Sequence, residues 1–221
     1  FIKNHTYFVK MNQPIYSRRP TNNSSIPDVI FIILIVNGLL FSLQQFAPRF
    51  TFEYLALQPL VSPPGYLTPS FIPWQLITYG FVHSTNSLMH ILFNMLMLWM
   101  FGRDIERLMG PQRFLIYYIT CIDGAGIIQL LVGVLQGGGV PTVGASGGVF
   151  GILLAYGMAF PERRIMLLFP PIPMKAKYFV IMLGLLELYF GFSGVNNGIA
   201  NFAHLGGMLF GYWLIRAWKR H

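Results

Sequence analysis

A serine within a glycine-rich run is the first candidate for chemistry. The run Gly144-Ala145-Ser146-Gly147-Gly148 fits the G-x-S-x-G pattern of a nucleophile elbow, but that motif requires a strand before the serine and a helix after it. Here a glycine-rich loop precedes Ser146 and an apolar run follows it. The usual elbow is therefore excluded. Two interpretations remain: an exposed nucleophile at the start of a helix, or small residues that let helices pack closely.

Two histidines interrupt long apolar stretches of the chain. An ionisable side chain is costly in such a setting unless it faces a protein interior or a cavity, so His90 and His204 are functional candidates. Asn94 follows His90 by four residues and shares its helix face. The set favours His204 as general base for Ser146, with His90, Asn94 and the Ser146 backbone amide as donors to an oxyanion. The alternative for each polar side chain is a hydrogen bond that bridges two helices.

The composition points to lipid as the solvent of these residues. Hydrophobic residues make up 54% of the 221 and charged residues 10%, against roughly 25% charged in a soluble domain. The formal charge of +8 does not indicate nucleic acid, because the basic residues lie at the ends of apolar segments rather than in a stripe. The single cysteine, Cys121, excludes an intrachain disulfide and a thiolate metal cluster. The serine chemistry requires neither cofactor nor metal.

Six apolar runs predict an all-α, polytopic membrane protein with a six-helix bundle. Each run approaches the roughly 20 residues that a membrane helix needs. All Lys and Arg residues except Arg49 fall on one side of these runs, which predicts that both termini are cytoplasmic. The expected organisation is a cytoplasmic arm at 1–27, a membrane domain at 28–217 and a cytoplasmic tail at 218–221, and the spans lie at about 28–47, 75–101, 113–136, 145–160, 178–196 and 201–217.

Counting residues along the spans predicts the depth of the candidate side chains. Ser146 lies 17 residues before Arg163, or roughly 25 Å of helix at about 1.5 Å per residue. His204 lies 12 residues before Arg216, and His90 lies 13 before Arg103. Because their three spans run in the same direction, all three side chains are expected at similar depth in the outer half of the bilayer.

The remaining polar and aromatic candidates receive supporting roles. Phe150 follows Ser146 by four residues and is expected to pack against the His204 imidazole in place of a triad acid. Asp123 and Glu187 lie on spans that run the opposite way and are expected to serve packing or paired hydrogen bonds rather than to orient His204. His83 is expected to be interfacial. A Ser146–His204 dyad is therefore the working model.

Two connections on the outer side are unusual for loops. Segment 48–74 is aromatic, proline-broken and nearly uncharged, so it is expected to lie in the membrane interface. Segment 137–144, GGGVPTVG, cannot form a regular helix. Such backbone is tolerated at membrane depth only where protein buries it or where it lines a water-filled cavity.

Four motifs together resemble the rhomboid intramembrane serine proteases in their six-span bacterial form. They are HILFN (90–94), ERLMG (106–110), GASGGVFG (144–151) and AHLGGMLFG (203–211), and the likeness covers about residues 75–217. The resemblance implies a Ser146–His204 dyad, an oxyanion hole of His90, Asn94 and the Ser146 amide, and a supporting set of Gly144, Gly147, Phe150, Gly207 and Gly211. It also implies that Gly207 and Gly211 let span six pack against span four.

The resemblance further implies cleavage of transmembrane segments of other membrane proteins, among membrane lipids, and its short form favours a bacterial inner membrane. Phe150 departs from the tyrosine that the family commonly carries there, and segment 48–74 lacks the Trp-Arg pair of many members. Three alternatives stay open: a catalytically silent rhomboid-like scaffold that binds transmembrane helices, a haem protein with His90 and His204 as axial ligands, and a transporter, for which no internal repeat is evident.

Overall fold

Long apolar runs of this chain fold as helices, which satisfy their own backbone hydrogen bonds. The computed structural model describes residues 29–65, 67–166, 172–193 and 200–220. Within these ranges, the helices of at least 14 residues are α1 (Val29–Phe46), α2 (Leu88–Met109), α3 (Pro111–Leu135), α4 (Ser146–Ala159), α5 (Ala176–Ser193) and α6 (Asn201–Trp218). A two-stranded antiparallel hairpin, β1 (Arg164–Met166) and β2 (Pro173–Lys175), connects α4 to α5. The predicted arm at 1–27 lies outside the described residues.

Three of these helices meet the length and composition of a membrane span. They are α1, α3 and α5. α4 is apolar but has only 14 residues, while α2 and α6 carry the polar and charged side chains that the sequence singles out. The protein is thus mostly helical with several helices able to cross a membrane, and the count of six spans stays a prediction.

The predicted second span, 75–101, is wrong in its bounds. Residues Gln75–Thr78 and Tyr79–Phe81 form short helical turns, and α2 begins only at Leu88. The polar run 83–87, HSTNS, separates them, because such side chains offer the backbone alternatives to helical hydrogen bonds. At its other end α2 continues to Met109, where Gly110 adopts a φ of +80° and Pro111 follows.

The last turns of α2 form hydrogen bonds to the first residues of α1. The Glu106 carboxylate accepts hydrogen bonds from the backbone amides of Val29 at 2.8 Å and Ile30 at 3.2 Å. A carboxylate at this end of a helix satisfies free N–H groups and interacts favourably with the helix dipole. Glu106 is the first residue of the ERLMG motif, so this motif has a structural role at the base of the bundle.

Segments 48–74 and 137–144 pack against each other. Leu57 and Thr142 form an isolated antiparallel bridge, and the Gly139 amide donates to the Val61 carbonyl at 2.9 Å. Leu57 is buried, while several aromatic side chains of segment 48–74 are exposed. These contacts hold segment 137–144 in place just before Ser146. The interface location of segment 48–74 stays a prediction.

Two glycines of α6 let this helix pack closely against its neighbouring helices. A Cβ atom on Gly207 would collide with the carbonyl oxygen of Gly147 on α4, so the two backbones are in direct contact. Gly211 instead faces the Tyr117 hydroxyl and the Cys121 sulfur of α3. The expectation that Gly211 packs against the fourth span is therefore wrong: its nearest neighbours belong to α3, against which α6 also packs at Gly206.

A cluster of exposed charged side chains lies beside the β1–β2 hairpin. Glu162 lies 2.7 Å from the Lys175 ammonium and also pairs with Lys177. Hydrogen bonds from Lys175 and then Lys177 lower the pKa of the Glu162 carboxyl to about 2. Because this carboxyl is well exposed, solvent screening keeps its contribution to stability small.

Candidate active site

Ser146 is the first residue of α4, reached through a turn that only glycine adopts readily. Gly144 has a φ of +130° and donates its amide to the Tyr79 carbonyl at 3.0 Å. The Ala145 amide then donates to the His83 Nε2 at 3.5 Å. As the first helical residue, Ser146 has an amide with no acceptor one turn earlier in its own helix. The turn thus presents a half-buried hydroxyl beside a free helix N-terminus.

His204 reaches Ser146 from the first turns of α6. Its Nε2 lies 2.8 Å from the Ser146 Oγ, within hydrogen-bond distance. The imidazole is buried, and the ring of Phe150 stacks on it with centroids 4.3 Å apart and planes within 7°. Contact between Gly147 and Gly207 brings α4 and α6 close enough for the two side chains to meet.

The structure places a carboxylate beside the other nitrogen of His204. Glu187 Oε2 lies 3.0 Å from His204 Nδ1, and the Asn201 side-chain amide donates to the same oxygen at 2.6 Å. The Nδ1 contact is close but not aligned as an ideal hydrogen bond, and Nδ1 has no other partner among the described residues. Packing or paired hydrogen bonding was expected of Glu187, and the hydrogen bond from Asn201 agrees with that role. The carboxylate also lies beside His204, a contact between α5 and α6 that the sequence did not predict.

His90 borders the same space with a defined tautomer. Its Nδ1 accepts a hydrogen bond from the Ser84 amide at 3.2 Å. A neutral imidazole that accepts at Nδ1 carries its proton on Nε2, so Nε2 is a donor. A Cβ atom on Gly144 would lie 3.0 Å from His90 Nε2 and 3.7 Å from Ser146 Oγ. Both atoms therefore border the space left open by that missing side chain.

Asn94 lies on the same face of α2 and is nearly buried. Its side-chain amide donates to the His90 carbonyl at 2.7 Å. This hydrogen bond uses one of its two amide hydrogens and leaves the other for a further acceptor. His90 and Asn94 thus line one wall of the site with N–H groups.

The other two ionisable candidates of the sequence analysis, His83 and Asp123, lie in different surroundings. His83 is 1% exposed, its ring is tilted against that of His90 with centroids 5.3 Å apart, and its Nε2 accepts a hydrogen bond from the Ala145 amide. It is therefore buried within the protein, and its location at the membrane interface stays a prediction. Hydrogen bonds between its backbone and the Gln44 side chain draw it inward. Asp123 makes no contact with His204 among the described residues, and its Oδ1 has no hydrogen-bond partner there.

A cavity of about 1070 Å³ opens beside Ser146. Its walls include residues 138–143, and its polar lining side chains are Ser84, Ser87, His90, Asn94, Gln129, Gln136, Thr142, Ser146, Asn201 and His204. This volume is large enough for a peptide segment together with water. Residues Phe179 and Leu183 of α5 complete an apolar side of the same cavity.

The described residues do not form a site for haem or for a metal cluster. A bis-histidine haem site would need a free nitrogen on His204, but Nε2 contacts Ser146 and Nδ1 contacts Glu187. Among the residues that the structure describes, no group of three or more His, Cys, Asp or Glu side chains could hold a metal ion. The arrangement is suited instead to proton transfer between a hydroxyl and an imidazole.

Comparison with known proteins identifies related sequences. Residues 71–220 match the model of the Rhomboid domain. The chain is 26% identical over 199 residues, 86% of its length, to "Rhomboid protein 1, mitochondrial" of Saccharomyces cerevisiae. It is 33% identical over 146 residues, 65% of its length, to "Rhomboid protease GluP" of Bacillus subtilis, and 29% identical over 136 residues, 58% of its length, to "Presenilin-associated rhomboid-like protein, mitochondrial" of Rattus norvegicus. It spans 54%, 26% and 34% of these proteins' lengths, respectively.

Proposed function

Because the chain belongs to the rhomboid family, we propose that it is a serine endopeptidase that cleaves transmembrane segments of other membrane proteins. The observation that carries the proposal is the 2.8 Å contact between Ser146 Oγ and His204 Nε2 beside a large cavity. A nucleophile and base within hydrogen-bond reach are the signature of covalent catalysis by serine. The name of one relative, Rhomboid protease GluP, agrees with this chemistry.

In the proposed mechanism, His204 Nε2 takes the Ser146 proton while Oγ attacks the substrate carbonyl carbon. The oxygen of the tetrahedral intermediate accepts hydrogen bonds from His90 Nε2, the Asn94 amide and the Ser146 backbone N–H. The imidazolium then gives its proton to the leaving amine, which leaves an acyl-enzyme. Water, deprotonated by His204, hydrolyses the ester and restores the Ser146 hydroxyl.

The substrate segment must unwind before it reacts, because an intact helix shields its peptide bonds with its own hydrogen bonds. The cavity beside Ser146 supplies room for an unwound segment and for water. Segment 48–74 and α5 are the proposed elements of lateral entry. Both expose large apolar side chains, such as Phe52 and Leu185, to the lipid from which a transmembrane substrate arrives.

The proposed location is a membrane that the domain at 28–217 crosses six times, with the arm 1–27 and the tail 218–221 on the side of the basic residues. Two of the relatives named above carry "mitochondrial" in their names and one is bacterial. The expectation of a bacterial inner membrane is therefore not supported. The proposal is confined to a multi-pass membrane protein.

A silent scaffold is the competing function within the same family. Such a protein would bind transmembrane helices in the cavity without cleaving them. The close approach of Ser146 to His204, with Phe150 stacked on the imidazole, favours the enzyme, because a scaffold has no need of an activated hydroxyl.

A fluorescent fluorophosphonate probe tests the proposal on the detergent-solubilised protein. We expect labelling of the parent and loss of labelling in both Ser146→Ala and His204→Ala. Ser42→Ala is the matched control, because Ser42 is exposed on α1 and donates only to the Gly38 carbonyl, so this variant should label like the parent. A folded parent that does not label would favour the scaffold.

A further inference from the structure

We propose that Glu187 is a positioning residue that holds His204 in the tautomer able to accept the Ser146 proton. The inference deepens the proposed protease function and rests on it. It extends the Ser146–His204 pair to an ordered chain of three side chains from α4, α6 and α5.

Two successive contacts connect the side chains of Ser146, His204 and Glu187. Ser146 Oγ lies 2.8 Å from His204 Nε2, and His204 Nδ1 lies 3.0 Å from Glu187 Oε2. The side chains of His204 and Glu187 are only 10% and 13% exposed, so water screens their interaction weakly. The imperfect alignment at Nδ1 fits a resting site, since catalytic hydrogen bonds often tighten only when substrate binds.

The carboxylate determines which imidazole nitrogen carries the proton. An ionised carboxylate only accepts hydrogen bonds, so it favours a proton on Nδ1 and leaves the Nε2 lone pair for the Ser146 hydroxyl. When Nε2 takes that proton, the ring becomes a cation beside an anion. The same contact that sets the tautomer therefore also stabilises the protonated base.

Neighbouring groups fix the carboxylate and the ring against each other. Asn201 donates to Glu187 Oε2 at 2.6 Å and lies three residues before His204, on the same face of α6. Asn201 is also the first residue of α6, where the helix dipole favours a negative charge. Phe150 stacks on the imidazole face. The ring is thus packed against Phe150 at its face, lies within hydrogen-bond distance of Ser146 at Nε2, and lies close to Glu187 at Nδ1.

A structural role is the alternative for Glu187. The buried residues of α5 are Ala176, Phe179 and Val180, all near its first turns. The hydrogen bond from Asn201 to Glu187 could therefore serve only to fasten the other half of α5 to α6. The two roles require different properties of residue 187. To fasten α5 to α6, the side chain needs only the shape of glutamate and an oxygen that accepts the Asn201 hydrogen bond. To position His204, it needs the negative charge of a carboxylate.

The test compares Glu187→Gln with Glu187→Asp. Gln keeps the length and an acceptor oxygen but can present an amide N–H to Nδ1, which favours the wrong tautomer. Asp keeps the charge on a shorter arm. We expect Glu187→Gln to slow fluorophosphonate labelling by about 10–100-fold, within the range of contributions from general base catalysis, and Glu187→Asp to label faster than Glu187→Gln.

Asp123→Asn is the matched control, because it makes the same carboxyl-to-amide change on α3 without a contact to His204. It should label at the parent rate. Labelling of Glu187→Gln at the parent rate, or labelling of Glu187→Gln faster than Glu187→Asp, would overturn the positioning role. If Glu187→Gln does not fold, Glu187→Asp decides: it should label measurably, and a folded Asp variant as inert as His204→Ala would count against the proposal.

A spectroscopic readout separates positioning from fastening. In protein labelled with ¹⁵N-histidine, the His204 signals of the parent should show a protonated Nδ1 and an unprotonated Nε2, and Glu187→Gln should shift the proton toward Nε2. An unchanged tautomer in Glu187→Gln would contradict the inference. Failure of the proposed function itself is distinguishable, because the parent would then not label at all.

Discussion

At the scale of single residues, the site depends on four helices that each contribute one or two atoms. α4 supplies the Ser146 hydroxyl and amide, α6 the His204 imidazole, α2 the His90 and Asn94 donors, and α5 the Glu187 carboxylate. None of these groups is reactive by itself. Their reactivity under the proposed mechanism comes from hydrogen-bond contacts in a site partly closed to water, where electrostatic interactions are stronger.

His90 provides a prediction at this scale. Its Ser84 contact makes Nε2 a donor, and a donor to the oxyanion acts mainly in the transition state. We expect His90→Ala to lower kcat by about 10²–10³-fold with little change in KM, the effect of removing one oxyanion donor. The measurement is steady-state cleavage of a reporter with a single transmembrane segment.

Leu92→Ala is the control for His90→Ala, because Leu92 lies two residues along α2 and is 54% exposed. It should leave both constants near their parent values. A His90→Ala variant with unchanged kcat and a raised KM would assign His90 to substrate binding instead.

At the scale of helices, the meeting of Ser146 and His204 depends on how closely α4 and α6 pack. Two glycines face each other at the contact, Gly147 on α4 and Gly207 on α6. Small residues allow such backbone approach in membrane bundles. Because His204 lies one turn before Gly207, any widening of this contact moves the base away from the nucleophile.

Gly207→Ala tests the contact between α4 and α6. The added methyl would collide with the backbone oxygen of Gly147, which cannot rotate away as a side chain can. We expect a loss of about 1–3 kcal/mol in unfolding free energy, typical of overpacking, and a marked loss of probe labelling. The measurements are thermal unfolding in detergent and labelling of the folded fraction.

Gly38→Ala on α1 is the matched control for this change, since nothing lies within 4 Å of its added methyl. Alanine in an open helical position should stabilise by about 0.5–1 kcal/mol and leave labelling unchanged. Equal behaviour of the two variants would show that the Gly147–Gly207 contact does not limit the site.

At the scale of the whole molecule, the bundle has two ends of different character. The hairpin of β1 and β2 and the Glu162–Lys175–Lys177 cluster lie at one end, while the paired segments 48–74 and 137–144 close the other end above the cavity. Residues 138–143 line the cavity beside Ser146, so the cavity lies toward the end where these two segments pair, the end from which we propose that water enters.

Cysteine labelling from one side of a sealed membrane tests this orientation. Arg164→Cys on β1 and Leu67→Cys in segment 48–74 both place a thiol at an exposed position. An impermeant maleimide should modify one of the two variants in intact vesicles and both after detergent is added. Modification of both in intact vesicles would contradict the proposed topology.

The parent protein serves as the background for cysteine labelling. Its single cysteine, Cys121, is fully buried between α3 and its neighbours, so it should remain unmodified until the protein unfolds. Each introduced thiol therefore reports its own position.

Sequence alone determined the helical class and predicted that the side chains of the Ser146–His204 site lie at a similar depth. Apolar runs of about 20 residues are long enough to cross lipid as helices, which satisfy their own backbone hydrogen bonds, whereas a membrane strand needs only about 9–11 residues. Residue counts from basic anchors predict a similar depth for Ser146, His90 and His204, which stays a prediction, and four-residue spacing placed Phe150 on the face of Ser146. These inferences are local, so they do not depend on how the helices rotate about their axes. The rhomboid resemblance is confirmed by the domain match over residues 71–220.

Tertiary structure alone decided which side chains meet across helices. Asp123 and Glu187 each lie 10 residues after a basic residue, Arg113 and Lys177 respectively, so depth cannot distinguish them. The rotation of α5 directs Glu187 to His204, while Asp123 has no such contact. The burial of His83 likewise depends on a side chain of α1, Gln44, far away in sequence. Rotation and crossing angle arise from packing of the whole bundle, and no spacing within one helix encodes them.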